Sequence, residues 1–183
     1  KQRDQNNIRI INNNNYHSSN NMYSLWLCKE ELKNCDQTYI SNADVLFDKS
    51  ILKRLSNNPG SFVICQENAF NDESMKVSIN NQGMVYDISK TIDEKNSFGC
   101  SIDVYSFSKE VSNKLINKMS SIIEKEKDLN QWTEVAIQQL VNSKSVNIKP
   151  FCLEKNEKWF EIDTMEDLIN AELVFSPLSK KLK

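Results

Sequence analysis

The sequence predicts an α/β domain of three layers, with a largely parallel core and an antiparallel insert. Three observations predict it. Strand-like and helix-like stretches alternate over the first sixty residues. Asn80-Asn81-Gln82-Gly83 then joins two β-prone runs as a hairpin turn would. Lastly, 183 residues suffice for one domain with a sizeable core, and no Pro/Gly-rich linker divides them. The expected organisation is a domain over 1–175 followed by a basic tail over 176–183.

Taken in order, Ile8–Ile11 is a β-branched run and a predicted strand. Asn12–Asn21 is a polar loop carrying the lone His17, and its asparagine run reads as surface filler. Met22, Leu25, Trp26 and Cys28 fall at helical spacing, predicting one helix to Leu32. The run Thr38–Asp44 predicts a strand, with Asp48 as N-cap of a helix over Lys49–Leu55. Strands follow at Ser61–Gln66, Met75–Ile79, Met84–Ile88 and Cys100–Phe107. Period two places Ser101, Asp103, Tyr105 and Phe107 on one face of the last of these. Helices are expected over Lys109–Glu126 and Trp132–Val141. Ser145–Cys152 is a strand confined to a sheet edge by Pro150. A short strand, Trp159–Asp163, leads into a helix reaching Val174, where Thr164-Met165-Glu166-Asp167 approximates a capping box.

Composition excludes several classes. The net charge of −2 gives no bulk attraction to nucleic acid or an anionic membrane. The apolar runs fall short of the roughly 18 residues a spanning helix needs, and no apolar signal segment follows Lys1. The five cysteines are odd in number and scattered, with no Cys-x-x-Cys, which predicts reduced thiols in a cytoplasmic protein rather than disulfides or a zinc knuckle. His17 has no patterned partners for a nucleophilic triad.

Two acids stand out. Asp44 ends a predicted strand with no local capping duty, and ligands collect outside the carboxyl ends of strands in open α/β sheets. Asp163 ends another strand directly before a helix, where it could equally be a cap. Together they could share one Mg²⁺, an ion that prefers hard oxygen ligands and commonly takes one or two carboxylates, leaving positions for water and substrate phosphates.

The string Ser19-Asn20-Asn21-Met22-Tyr23-Ser24, the string Asn42-Ala43-Asp44-Val45-Leu46-Phe47-Asp48, Trp132-Thr133-Glu134, and above all Trp159-Phe160-Glu161-Ile162-Asp163-Thr164-Met165-Glu166-Asp167-Leu168 resemble the nucleotidyltransferases that activate sugar phosphates and phosphocholine, most of all their cytidylyltransferase branch. The resemblance runs from Ile8 to Phe175. It implies a three-layer Rossmann-like (GT-A-like) fold with a mixed sheet, and transfer of a cytidylyl group from CTP to a small phosphate or phosphonate with release of pyrophosphate, serving cell-surface polysaccharide or lipid modification. Asp44 and Asp163 carry over as the Mg²⁺ pair, and Lys90 as a lysine beside the acceptor phosphate, although an exposed strand-end lysine is the plain alternative. Asn20, Asn21 and Ser24 fall on the nucleotide side, where the asparagines could also simply cap a helix. Ser101, Asp103, Tyr105, Trp132, Glu134 and Glu161 fall in the acceptor half. There, aromatic faces beside carboxylates suit a cationic amine, while Trp132 could instead anchor the core.

The sequence departs from the family in two ways. The Gly-rich phosphate loop with its Arg and Pro-Lys pair is missing, which implies that the first β-α units are absent and that the chain as it stands is inactive. And Asp103 stands where the family usually has glycine, which would suit an amino-bearing acceptor such as phosphoethanolamine, an aminophosphonate or an amino-acid-like phosphate over plain phosphocholine. The expected partners are CTP and the acceptor, with no nucleic acid or membrane, and a homodimer as the candidate assembly. The alternatives are a sugar-phosphate nucleotidyltransferase using another NTP, or an inactive binding or regulatory domain of the same fold.

Overall fold

A computed structural model describes residues 8–69 and 74–176. The basic tail beyond Ser176 lies outside them. Strand β1 (Gln37–Ser41) is followed by β2 (Val45–Phe47), helix α3 (Lys49–Ser56) and β3 (Phe62–Glu67). The hairpin β4 (Lys76–Ile79) and β5 (Val85–Ser89) leads to the ten-residue β6 (Gly99–Ser108). Helices α4 (Lys109–Ser120) and α5 (Thr133–Asn142) come next, then β7 (Lys149–Cys152), β8 (Trp159–Glu161) and α6 (Met165–Phe175). Before β1, a short α1 (Asn21–Leu27) and α2 (Lys29–Lys33) replace the single expected helix, because the Cys28 N–H turns to the Leu25 and Trp26 carbonyls and ends the first ladder. Ile8–Ile11, expected as a strand, pairs with none, and Ile8 and Ile10 are exposed.

Six strands form one sheet, in the order β5-β4-β6-β3-β7 with β1 also on β6. The expectation of a largely parallel core does not hold: β3–β7 is the parallel pair, and the others are antiparallel. The reason lies in β6. Strands β1 and β3 do run in one direction, as alternation with helices requires, but β6 arrives from the hairpin without a crossover helix and inserts between them. Pro150 sits in β7, the last strand of the order, as an edge proline must.

The sheet is sandwiched between two apolar layers. Val63, Cys65, Tyr105 and Phe107 pack on one face with Met22, Leu115, Ile116, Met119, Ile137 and Leu140 of α1, α4 and α5. Their neighbours Ile64, Ile102 and Val104 point to the other face, against Ile51 and Leu55 of α3. A two-stranded ribbon, β2 with β8, joins that second layer through Val45, Phe47 and Trp159.

One edge of β6 is shared. β1 occupies its carboxyl-terminal half, from Gln37↔Ser108 to Ser41↔Val104, and β4 takes Cys100 and Gly99. Between them, opposite β3, the register jumps from Val63↔Tyr105 to Cys65↔Ser101. The two extra residues of β6 form a bulge, with Asp103 at a φ of 55°. The sheet therefore opens at mid-edge, where the end of β1 meets the start of β4.

Candidate active site

A cleft of about 1130 Å³ opens at this split. It gathers every residue singled out from the sequence except Tyr105: Asn20, Asn21, Ser24, Asp44, Lys90, Ser101, Asp103, Trp132, Glu134, Glu161 and Asp163 all line it. These come from parts of the chain more than a hundred residues apart.

The β2–β8 ribbon brings the acids together. Val45 pairs with Glu161, and the Ile162 N–H donates to the Asp44 carbonyl at 2.9 Å, which sets Asp44 and Asp163 at the same end of the ribbon. Burial, then the charges of Asp163 and Asp44, raise the Glu161 carboxyl above its usual range. Asp163 is not the helix cap. Thr164 caps α6, its hydroxyl accepting from the Asp167 N–H while the Asp167 carboxylate accepts from the Thr164 N–H at 2.9 Å. Asp48 stands at the N-cap of α3 as expected, but its side chain makes no capping bond.

The half of the cleft expected to take the acceptor is built on the bulge. Tyr105, fully buried, donates its hydroxyl to Glu134 at 2.7 Å and lies 3.3 Å from Asp103. Ser101 donates to the same hydroxyl at 3.2 Å, and Asn42 donates to the other oxygen of Asp103 at 3.2 Å. Burial foremost, then Glu134 and Glu161, push the Asp103 carboxyl up to about 7. Tyr105 offers no ring face here, since its ring stacks on Phe107 inside the core, 6.0 Å between centroids. Trp132 does face the cleft, 44% exposed at the start of α5, and is not a core anchor. The Lys90 ammonium lies 5.3 Å from its ring centroid.

On the α1 side, Asn20 caps the helix, accepting from the Asn21 N–H at 2.7 Å. Asn21 binds the first N–H of α5, at Thr133, at 2.8 Å. Ser24 accepts from Asn13 at 3.0 Å, so part of the asparagine run holds this wall rather than filling surface. The five cysteines are free thiols, and burial lifts the one that touches the cleft, Cys100, to about 11, too high for a nucleophile at neutral pH.

No protein-family model matches the chain, and no curated protein matches it in sequence. Solved structures do match it in shape. The CTP:phosphocholine cytidylyltransferase LicC of Streptococcus pneumoniae superposes with a TM-score of 0.70 at 22% identity, over 96% of this chain and 69% of that one. The inositol-1-phosphate CTP transferase of T. maritima gives 0.62 at 23% identity, over 85% and 60%. A Bacillus anthracis protein assigned as a glucose-1-phosphate thymidylyltransferase gives 0.62 at 16%, over 87% and 62%. The chain has the fold of these nucleotidyltransferases. It spans 60% to 69% of their lengths.

Among the described residues no group of three or more His, Cys, Asp or Glu side chains is arranged to hold a metal. A two-carboxylate set such as Asp44 and Asp163 still fits Mg²⁺, whose other ligands are usually waters and substrate phosphates. No helix among the described residues is long and apolar enough to cross a membrane. Three supporting residues escaped the sequence reading. Asn42 holds Asp103, Gln66 accepts from the Trp159 indole, and the buried Lys76 donates to the Lys90 carbonyl at 3.0 Å, fixing the turn that carries Lys90. Asn42 lies within the Asp44 motif and could have been noticed; the other two have no local signature.

Proposed function

We propose that this protein transfers a cytidylyl group from CTP to a small phosphate or phosphonate bearing an amine, for cell-surface polysaccharide or lipid modification. The observation that carries the reading is the convergence, in one cleft of a nucleotidyltransferase fold, of the acids Asp44 and Asp163 with Lys90 and an acidic acceptor wall. An oxygen of the acceptor phosphate attacks the α-phosphorus of CTP, the bond from that phosphorus to the β-phosphate oxygen breaks, and pyrophosphate leaves with the electron pair. No proton need move, so positioning and charge neutralisation suffice.

Asp44 and Asp163 would hold Mg²⁺, which supplies neutralisation of the phosphate charge when bound. Lys90, which lines the cleft with its ammonium by the Trp132 ring, would neutralise the acceptor phosphate. Asn20, Asn21 and Ser24 form the wall for the nucleotide, with Asn21 also fixing the start of α5. The test is a pyrophosphate-release screen of the full-length protein with four NTPs and a panel of small phosphates and phosphonates. CTP is expected to be the donor. Asp44→Ala and Asp163→Ala are each expected to lower kcat/KM by about a hundredfold or more, since metal neutralisation is worth several kcal/mol. Near-normal turnover in both variants would remove the metal assignment.

A further inference from the structure

Phosphate transfer needs cationic or neutral groups around its oxygens, yet the acceptor wall is acidic. Asp103 and Glu134 both line the cleft, and Glu134 is buried, at 4% exposure. One hydroxyl serves them both. Tyr105 has a single proton, directed to Glu134 at 2.7 Å, and its oxygen is already receiving the Ser101 hydroxyl at 3.2 Å. At 3.3 Å, Asp103 meets the Tyr105 oxygen without a proton between them unless it carries one itself. Burial and the nearby Glu134 and Glu161 do hold that carboxyl near neutrality, at about 7. A cation placed on this wall would relieve the crowding and favour the ionised form of Asp103.

The surroundings say which kind of cation. A quaternary ammonium has no N–H and is held by aromatic faces closing round it. Here the Tyr105 ring is turned into the core against Phe107, and Lys90 already approaches the Trp132 ring. Trp159, which also lines the cleft, is packed in the second apolar layer with its indole N–H on Gln66. What the wall offers is carboxyl oxygens in a fixed array, which suits a group with several N–H donors. We infer that the acceptor carries a primary ammonium whose N–H groups are received by Asp103 and Glu134, making it an aminoalkyl phosphate or phosphonate rather than a trimethylammonium ester. This rests on the cleft being the cytidylyl-transfer site.

The experiment is a methylation series on the full-length protein with CTP: phosphoethanolamine, its N-methyl and N,N-dimethyl forms, and phosphocholine. Pyrophosphate release is read beside calorimetric binding of the first and last members. Each methyl removes one donor, and kcat/KM is expected to fall along the series, ending about a hundredfold or more below the primary amine, because a site built on hydrogen bonds rejects analogues lacking them. Asp103→Asn and Asp103→Gly, both compatible with a φ of 55°, should each flatten the series to within about tenfold. The glycine variant guards against a failure of asparagine to fold. Equal use of all four acceptors, or a preference for phosphocholine in either assay, overturns the inference while leaving cytidylyl transfer intact. Selective binding of phosphoethanolamine with no pyrophosphate from any acceptor supports the inference and removes the transfer reading. Failure to bind either phosphate overturns it.

Discussion

Asp103 occupies a left-handed backbone position, φ 55°, that most side chains avoid and that aspartate, asparagine and glycine tolerate. The bulge sets the conformation, and this chain uses one of the few side chains that can follow it. The carboxyl so placed faces Glu134 of α5, Glu161 of β8, Asn42 after β1, and Ser101 and Tyr105 of its own strand. Its folded pKa, about 7, is raised from the ordinary 3.8. Between these values the folded chain keeps a proton that the unfolded chain has lost. The associated stability is therefore complete below about pH 4 and is lost as pH rises to 7, at up to about 1.4 kcal/mol per pH unit. Denaturant unfolding at intervals from pH 4.5 to 7.5 should show that fall, and Asp103→Asn should reduce it. Parallel curves for the two proteins would mean that Asp103 titrates as an ordinary carboxyl.

At the level of elements, helix α6 separates two roles that the sequence could not. Asp163 and Thr164 are both plausible caps by residue type, but the structure closes the box between Thr164 and Asp167 and leaves Asp163 facing the cleft. Thr164→Ala should therefore cost about 1 kcal/mol. Asp163→Ala should change stability by less than about 0.5 kcal/mol, as a substitution outside any structural feature does. Urea denaturation of both variants decides it, and a larger loss for Asp163 would return that residue to a structural role. The same contrast marks what was legible. α3, α5, α6 and the β4–β5 hairpin are written in local signals, namely apolar spacing, caps and the Asn80–Gly83 turn. The direction of the sheet and the fate of Ile8–Ile11 depend on which strand finds which partner, and no local pattern announces that β6 will divide its edge between β1 and β4. That the candidate residues share one cleft was legible because most fall in short motifs; Tyr105's turned-in ring was not, because alternation along β6 says which face it takes but not that Phe107 stacks on it.

Across the whole molecule, the cleft depends on how the β2–β8 ribbon is tied to the main sheet, since the ribbon carries Asp44 and Asp163. Besides the apolar contacts of α3 and the Trp159 indole on Gln66 of β3, the ribbon is tied by Glu157, buried at 8% exposure just before β8. It accepts from Arg54 Nε at 3.0 Å and Nη2 at 2.5 Å, from Ser50 at 2.9 Å and from the Glu154 N–H at 2.9 Å. Arg54 also donates to the Cys152 carbonyl of β7 at 3.0 Å and lies over the Phe151 ring. Burial opposes ionisation of Glu157, yet these donors hold its carboxyl below the usual range. In sequence the two residues look like ordinary surface charges, 103 positions apart. Removing one partner strands the other, so Arg54→Ala should cost about 3 kcal/mol or more, which for a chain of this size lowers Tm by roughly 6–12 °C. Arg54→Lys keeps the charge but loses the fork and should recover only part of that. The double variant Arg54→Met with Glu157→Leu leaves no buried charge behind, and should be more stable than Arg54→Ala. Calorimetry of the four proteins tests this. A double variant no better than Arg54→Ala would show that the ribbon is held by the specific Arg54–Glu157 geometry, and not merely by the absence of a stranded charge.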